Sequence, residues 1–330
     1  YYATPTEVFE DAGFSLVIWA NHLLRASISA MQRTARQIHA ERNLMSIEDN
    51  VAGVDEVFRL QGAQELKEAE KRYLPSVEKV PCAVILAASR GKELGALTED
   101  KPKVMIVIRG KPLLAHIAEN YNLAGIKKLV VVRGYMKHAV DVPGLDYVDN
   151  DRYESTGELV SLKHALDHLG DHNGELGTDM VVSYGDVLFN KYILSLLEEP
   201  GADFVVTVDA DWVNSRNAGR EADWAVCSHP NSRGTFSTNV SLERLSNDIQ
   251  EANIHGEWMG FLKVSAKGFA IVKTALDELL SNPEQQQFKM PDLINMLIED
   301  GNIVRVIYTT GHWLDIDTVQ DLVAAGNFNE

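Results

Sequence analysis

The 330-residue chain carries 31 Lys and Arg against 48 Asp and Glu, a net charge of −17. That balance argues against a nucleic-acid partner, which needs basic surface to replace counterions, and leaves any anionic substrate to be collected by a local basic cluster or by metal ions. No apolar stretch approaches bilayer length, the first residues lack a basic-then-apolar leader, and Cys82 and Cys227 have no metal-type spacing, so a cytoplasmic protein without membrane, disulfide or zinc is expected.

In chain order, Phe14–Ala20 is an apolar run of strand length with β-branched and aromatic content. From His22 to about Glu41, Leu24, Ile28, Met31, Ala35 and Ile38 recur at helical spacing. Further helices are expected at Val54–Leu60 and Ala63–Tyr73, and Tyr73–Pro81, with its two prolines, reads as a linker. One strand and a few helices cannot bury both faces of that strand, so residues 1–78 need partners. The chain opens on Tyr1 with no Met and reads as part of a longer protein.

Residues 1–75, through Tyr-Tyr-Ala-Thr-Pro-Thr-Glu-Val-Phe and Val-Ile-Trp-Ala-Asn-His-Leu-Leu-Arg-Ala-Ser-Ile-Ser-Ala-Met-Gln, resemble the C-terminal end of phosphoenolpyruvate mutases of the isocitrate lyase superfamily. The resemblance implies the last strand and helices of a β/α barrel, with a role in dimerisation. Such mutases carry their catalytic acids on earlier strands, so residues 1–78 are assigned no catalysis. Asn21, His22 and Arg25 are read as helix-start and packing residues.

From residue 79 strands and helices alternate: Ala83–Leu86, a helix at Leu113–Leu123, Lys128–Val132, a helix at Glu158–Leu169, Met180–Ser183, a helix near Lys191–Glu199, and Phe204–Val208. This predicts an α/β fold with a mostly parallel, doubly wound, Rossmann-like sheet, whose ligands collect beyond the carboxyl ends of the strands. After the first strand, the small residues Ala87, Ala88, Ser89 and Gly91 let backbone approach a ligand and cradle phosphate, with Arg90 and Lys92 adding charge. Lys103 would reach back from the next segment, although Lys101 and Lys103 also read as solvated loop charges. Near the end, Asp315 and Asp317 follow an apolar run, Ile303–Tyr308. Extended backbone would point both carboxylates one way, as hard ligands for Mg²⁺ and a phosphate. The competing reading is a strand and a helix capped by Asp317 or Thr318.

Leu86–Gly91, Lys103 and Gly110-Lys-Pro-Leu together resemble the nucleotidyltransferases that activate sugar-1-phosphates and phosphocholine, over about residues 80–330. That resemblance implies nucleotide binding by Leu86, Ala87, Ala88, Ser89, Arg90, Gly91, Lys92 and Lys103, catalysis by Lys103, Arg90 and Asp186, and Mg²⁺ on Asp186, Asp315 and Asp317. It also implies an acceptor region at Asn150, Ser155, Thr156, Glu158 and Ser161, with Lys263 on the strand Trp258–Lys263 as a further contact. Ser155 and Thr156 equally suit a helix cap ahead of Glu158. Two departures stand out: Ser89 replaces the first family glycine, and Glu93 falls where the family has a basic residue, so Arg90 or Lys92 is inferred to take over the triphosphate.

The two pieces combined, 1–78 and 79–330, resemble the bifunctional phosphoenolpyruvate mutase/cytidylyltransferases of fosfomycin biosynthesis. The partners so implied are CTP, 2-hydroxyethylphosphonate and a second copy of the chain, bound through the mutase-like piece. 2-Aminoethylphosphonate or a sugar phosphate as acceptor, and a silent nucleotide sensor, are the alternatives.

Overall fold

The computed structural model describes residues 3–52, 56, 60, 81–170, 176–199, 201–232, 239–282 and 286–328. The chain divides into two compact units, Tyr1–Val77 and Glu78–Glu330. Among the described residues, no helix is long and apolar enough to cross a membrane.

In the first unit α1 spans Thr6–Asp11 and α2 spans His22–Glu41, followed by a 3₁₀ turn at Glu48–Asn50. Helix α2 forms where the apolar spacing predicts it, with Asn21 at its N-cap. The strand expected over Phe14–Ala20 does not form. Extended backbone becomes a strand when a neighbour takes its N–H and C=O groups, and the described part of this unit contains no strand to do so. Its side chains stay in the open, Leu16 and Ile18 being 75% and 78% exposed. The helices expected over Val54–Leu60 and Ala63–Tyr73 and the Tyr73–Pro81 linker lie outside the described residues, apart from positions 56, 60 and 81.

The second unit runs β1 (Cys82–Ala87), β2 (Val107–Ile108), β3 (Lys111–Pro112), α3 (Leu113–Leu123), β4 (Lys128–Arg133), β5 (Asp146–Asp149), α4 (Glu158–Leu169), β6 (Met180–Tyr184), β7 (Val187–Phe189) and α5 (Tyr192–Leu196). It continues with β8 (Phe204–Asp209), β9 (Trp224–Cys227), β10 (Leu242–Ser246), β11 (Gly256–Val264), α6 (Ala266–Leu279), α7 (Met290–Glu299), β12 (Val304–Thr309), β13 (Trp313–Asp315) and α8 (Val319–Gly326). Strands β6, β1, β4 and β5 lie side by side and parallel. Long β11 runs antiparallel beside β6 and β9 on one edge and β8 on the other, and β8 pairs parallel with β12.

Alternation along β1 explains why the sheet is covered on both faces. Cys82, Val84 and Leu86 enter one core with α4, α6 and α7, whereas Ala83, Ile85 and Ala87 enter the other with α3, α5 and α8. On α3 the buried Leu113, Leu114, Ile117, Ala118 and Tyr121 follow the helical period. At Gly260 in β11, φ is +80°, and a Cβ there would lie 2.7 Å from the Tyr184 ring. The bulge at this glycine therefore gives Tyr184 its place at the end of β6.

Candidate active site

The site forms at the carboxyl ends of β1 and β6, where a parallel sheet leaves its loops free for a ligand. The loop after β1 turns at Gly91, whose φ is +73°; a Cβ there would sit 2.8 Å from the Lys103 Cβ. Glycine thus lets the lysine stem pass against the loop, and the Lys103 N–H donates to the Arg90 carbonyl at 3.2 Å. Lys103 is 4% exposed, and its ammonium lies 2.8 Å from Asp186 Oδ2 and 2.7 Å from Asp317 Oδ1.

Asp186 sits in the turn between β6 and β7. A two-stranded antiparallel ribbon then does the assembly: Asp315 on β13 pairs with Val187 on β7, and the Ile316 N–H donates to the Asp186 carbonyl at 3.0 Å. Asp186, Asp315 and Asp317 bring one carboxylate oxygen each within 4.8 Å of one another. The competing reading of this segment holds as well. Thr318 caps α8, its hydroxyl accepting from the Asp321 N–H, and Asp321 accepts in return from the N–H groups of Thr318 and Asp317.

Burial, reinforced by the like charges of Asp186 and Asp317, pushes the Asp315 carboxyl well above its ordinary range. Burial acts on Asp317 in the same sense, but Lys103 and then Arg220 outweigh it and hold that carboxyl below the usual range. Burial also opposes the charge of Lys103, and the carboxylates of Asp186, Asp315 and Asp317 outweigh it, keeping the ammonium protonated. Three hard oxygen donors this close, one of them short of positive charge, fit a divalent cation such as Mg²⁺.

Two adjoining cavities flank the acids. The larger, about 800 Å³, is lined by Arg90, Gly91, Lys92, Glu93, Lys103 and Asp317 among others. The smaller, about 270 Å³, is lined by Leu86, Ala88, Thr156, Glu158, Ser161 and Asp186 among others, and Ser89 and Tyr153 line both. Arg90 is steadied by the Thr98 carbonyl at 3.2 Å and by the Tyr135 ring, 5.4 Å away. Ala87 is buried beneath the loop and lines neither cavity.

Four expectations need correction. Lys263 does not face an acceptor: its ammonium is held by Asp179 at 3.0 Å and the Ala202 carbonyl at 2.9 Å, because antiparallel β11 carries it to the opposite end of β6. Asn150 is 1% exposed and spends its amide on the hydroxyls of Thr156 and Ser161, both at 3.0 Å, so it shapes the loop from beneath. Ser155 is exposed, lines neither cavity and donates to the Arg152 carbonyl. Neither Ser155 nor Thr156 caps α4, whose N-cap is Gly157.

Sequence reasoning missed Arg220 and Asn217, in the loop between β8 and β9. Arg220 donates to the Asp315 carbonyl at 3.0 Å and lies 3.6 Å from its carboxylate, while Asn217 accepts the Asp315 N–H at 3.2 Å. Nothing in the loop's local pattern marks these residues, since their partner lies nearly a hundred positions away.

Set beside known proteins, the chain matches a phosphoenolpyruvate phosphomutase of Tetrahymena pyriformis at 53% identity over 74 residues in its N-terminal region. That match covers 22% of this chain and only 25% of the relative. A CTP:phosphoglutamine cytidylyltransferase of Campylobacter jejuni is 25% identical over 253 residues, covering 73% of this chain and 97% of the relative. In fold, the CTP:phosphocholine cytidylyltransferase of Streptococcus pneumoniae superposes with a TM-score of 0.55 at 19% identity, over 75% of this chain and 98% of that one. The family model of the MobA-like NTP transferase domain matches residues 83–251, just over half of the chain. The protein therefore belongs to the MobA-like NTP transferase family and is a nucleotidyltransferase.

Proposed function

We propose that the protein transfers CMP from CTP to a small phosphonate, 2-hydroxyethylphosphonate, and releases pyrophosphate. The observation that carries this reading is the meeting of Asp186, Asp315, Asp317 and Lys103 beside the Arg90–Lys92 loop. A phosphonate oxygen is already anionic near neutral pH, so the reaction needs no activated side-chain nucleophile. That oxygen attacks the α-phosphorus, the new P–O bond forms, and the bond to the β-phosphate oxygen breaks with its electron pair leaving on pyrophosphate.

Held by Asp186, Asp315 and Asp317, Mg²⁺ would supply Lewis-acid neutralisation of phosphate charge. Lys103, with Arg90 and Lys92 on the cavity wall, binds and orients the triphosphate and offsets charge on the leaving group. The phosphonate acceptor is supported by the N-terminal likeness to a phosphomutase, because rearranging phosphoenolpyruvate creates a carbon–phosphorus bond. In this reading the first unit is the end of a mutase barrel that pairs two copies of the chain, and the product serves phosphonate antibiotic synthesis of the fosfomycin type.

The test is pyrophosphate release with Mg²⁺ and CTP, comparing 2-hydroxyethylphosphonate, 2-aminoethylphosphonate, phosphocholine and glucose-1-phosphate. Fastest release with 2-hydroxyethylphosphonate is the expected result. Release with the sugar phosphate alone, or none with any acceptor, would overturn it.

A further inference from the structure

The smaller cavity has a composition unlike the larger one. The larger sets the cations Arg90, Lys92 and Lys103 among acids, whereas the smaller places Leu86, Ala88 and the Tyr184 ring beside Thr156, Glu158 and Lys289 among other polar groups. Small apolar surfaces set among hydrogen-bonding groups suit a nucleobase, whereas a triphosphate needs the cations next door. Ser89 lines both spaces and Asp186 lines the smaller, so a nucleotide lying across them passes the acid cluster at its α-phosphate.

Within that cavity Glu158 is held in an asymmetric way. Its Oε2 accepts from the Tyr184 hydroxyl at 2.8 Å and from the Met290 N–H at 2.9 Å, on the wall opposite α4. Its other oxygen has no hydrogen-bond partner among the described residues, while the side chain lines the cavity. Glu158 is half-buried along the cavity, and this second oxygen is open to a donor from a ligand bound there. Gly157, ahead of it, lies so close to Phe288 that a Cβ would meet that residue's carbonyl at 2.3 Å, which pins the start of α4 against the segment carrying Met290.

Cytosine offers an amine at C4, while uracil presents a carbonyl oxygen at the same position. We infer that the free carboxylate oxygen of Glu158 accepts from the cytosine amine and thereby selects CTP over UTP. This inference rests on the cytidylyl-transfer reading above, and it moves Glu158 from the acceptor to the base. Uracil would set its carbonyl oxygen against the carboxylate, two acceptors facing across a desolvated gap. Lys289 lines the same cavity and suits the C2 carbonyl that both pyrimidines share, so it adds affinity without discrimination.

The test is Glu158→Gln, whose amide keeps an oxygen for Tyr184 and Met290 and turns an N–H donor into the cavity. The expected result is a fall of roughly 10–100-fold in the CTP-to-UTP ratio of kcat/KM. The Kd of CTP by titration calorimetry should weaken in step, with the acceptor KM unchanged. An unchanged ratio in the folded variant, or a change confined to the acceptor KM, overturns the inference. Tyr184→Phe removes one bond to the same carboxylate and should lower the ratio several-fold, so an unaltered ratio there also counts against it. A wild-type enzyme that turns over UTP as well as CTP overturns the cytidylyl-transfer reading itself.

Discussion

The first unit is 53% identical to a relative over 74 residues, whereas the second is 25% identical to the Campylobacter jejuni cytidylyltransferase, yet the first unit's described residues bury almost nothing. Among its described residues Ile47 is the one buried hydrophobic side chain, whereas in the second unit every residue of β1 is buried. Helix α2 survives in the first unit because its hydrogen bonds are internal, and Phe14–Ala20 does not become a strand because its bonds must come from elsewhere. Sequence identity therefore marks descent, and self-sufficiency depends on which partners a segment finds in space.

If all the chemistry lives in the second unit, Asp186→Ala or Asp317→Ala should lower turnover by at least about 10³-fold while circular dichroism and thermal midpoint stay close to wild type. Near-normal turnover in either variant would break the comparison at its centre. Next in size is Lys103→Ala, which leaves three carboxylates facing one another without their buried counter-charge. It should cost roughly 3–5 kcal/mol in denaturant titrations with EDTA present, with part of the loss recovered on adding Mg²⁺.

Glu257 gives the second unit a pH signature that the first should lack. Burial, with Asp209 and Asp223 adding to it, raises its carboxyl to about 7. The folded state thus holds a proton that the unfolded chain releases near its ordinary value, so stability should fall as pH rises from about 4.5 to about 7 and level off above. The difference is up to about 3 kcal/mol. Glu257→Gln should flatten that part of the profile; an unchanged slope would mean that another group carries it.

Arg220→Ala frees the Asp315 backbone, a loss of ligand position that should outweigh the removed positive charge, so apparent Mg²⁺ affinity should weaken about tenfold, read from the Mg²⁺ dependence of turnover and by calorimetry. The smallest effect on turnover belongs to the first unit. Leu24→Asp with Ile28→Asp on the exposed face of α2 should convert a dimer to a monomer by light scattering while kcat stays within about twofold. A large loss of kcat would mean that the units depend on one another for chemistry.

The fold was legible where periodicity ran long. Helices over Leu113–Leu123 and Glu158–Leu169 form at the expected bounds, and the strands at Met180 and Phe204 differ by a residue. Antiparallel β11 was not anticipated as the seam of the sheet, because periodicity tells that a segment is extended and not which way it runs beside its neighbour. That same reversal misplaced Lys263. Asp186, Asp315 and Asp317 are readable as chemistry-bearing types near strand ends, and Lys103 as a cation in the segment after the small-residue loop. Their mutual distances are not, since these depend on the pairing of β7 with β13 across more than a hundred residues. Asn150 enters the acceptor region only through the family resemblance, which marks the segment and not the direction of one side chain; its side-chain hydrogen bonds hold it inside.

The lysine among the acids has a consequence for the order of events. One ammonium cannot neutralise three carboxylates and serve a triphosphate at once. In the proposed reaction, a nucleotide that draws Lys103 toward its phosphates would leave the acids with Arg220 alone as counter-ion and raise their affinity for a divalent cation. By thermodynamic reciprocity, cation binding strengthens nucleotide binding by the same factor. On that reading nucleotide and metal would enter as a coupled pair, with Lys103 as the exchangeable charge between them.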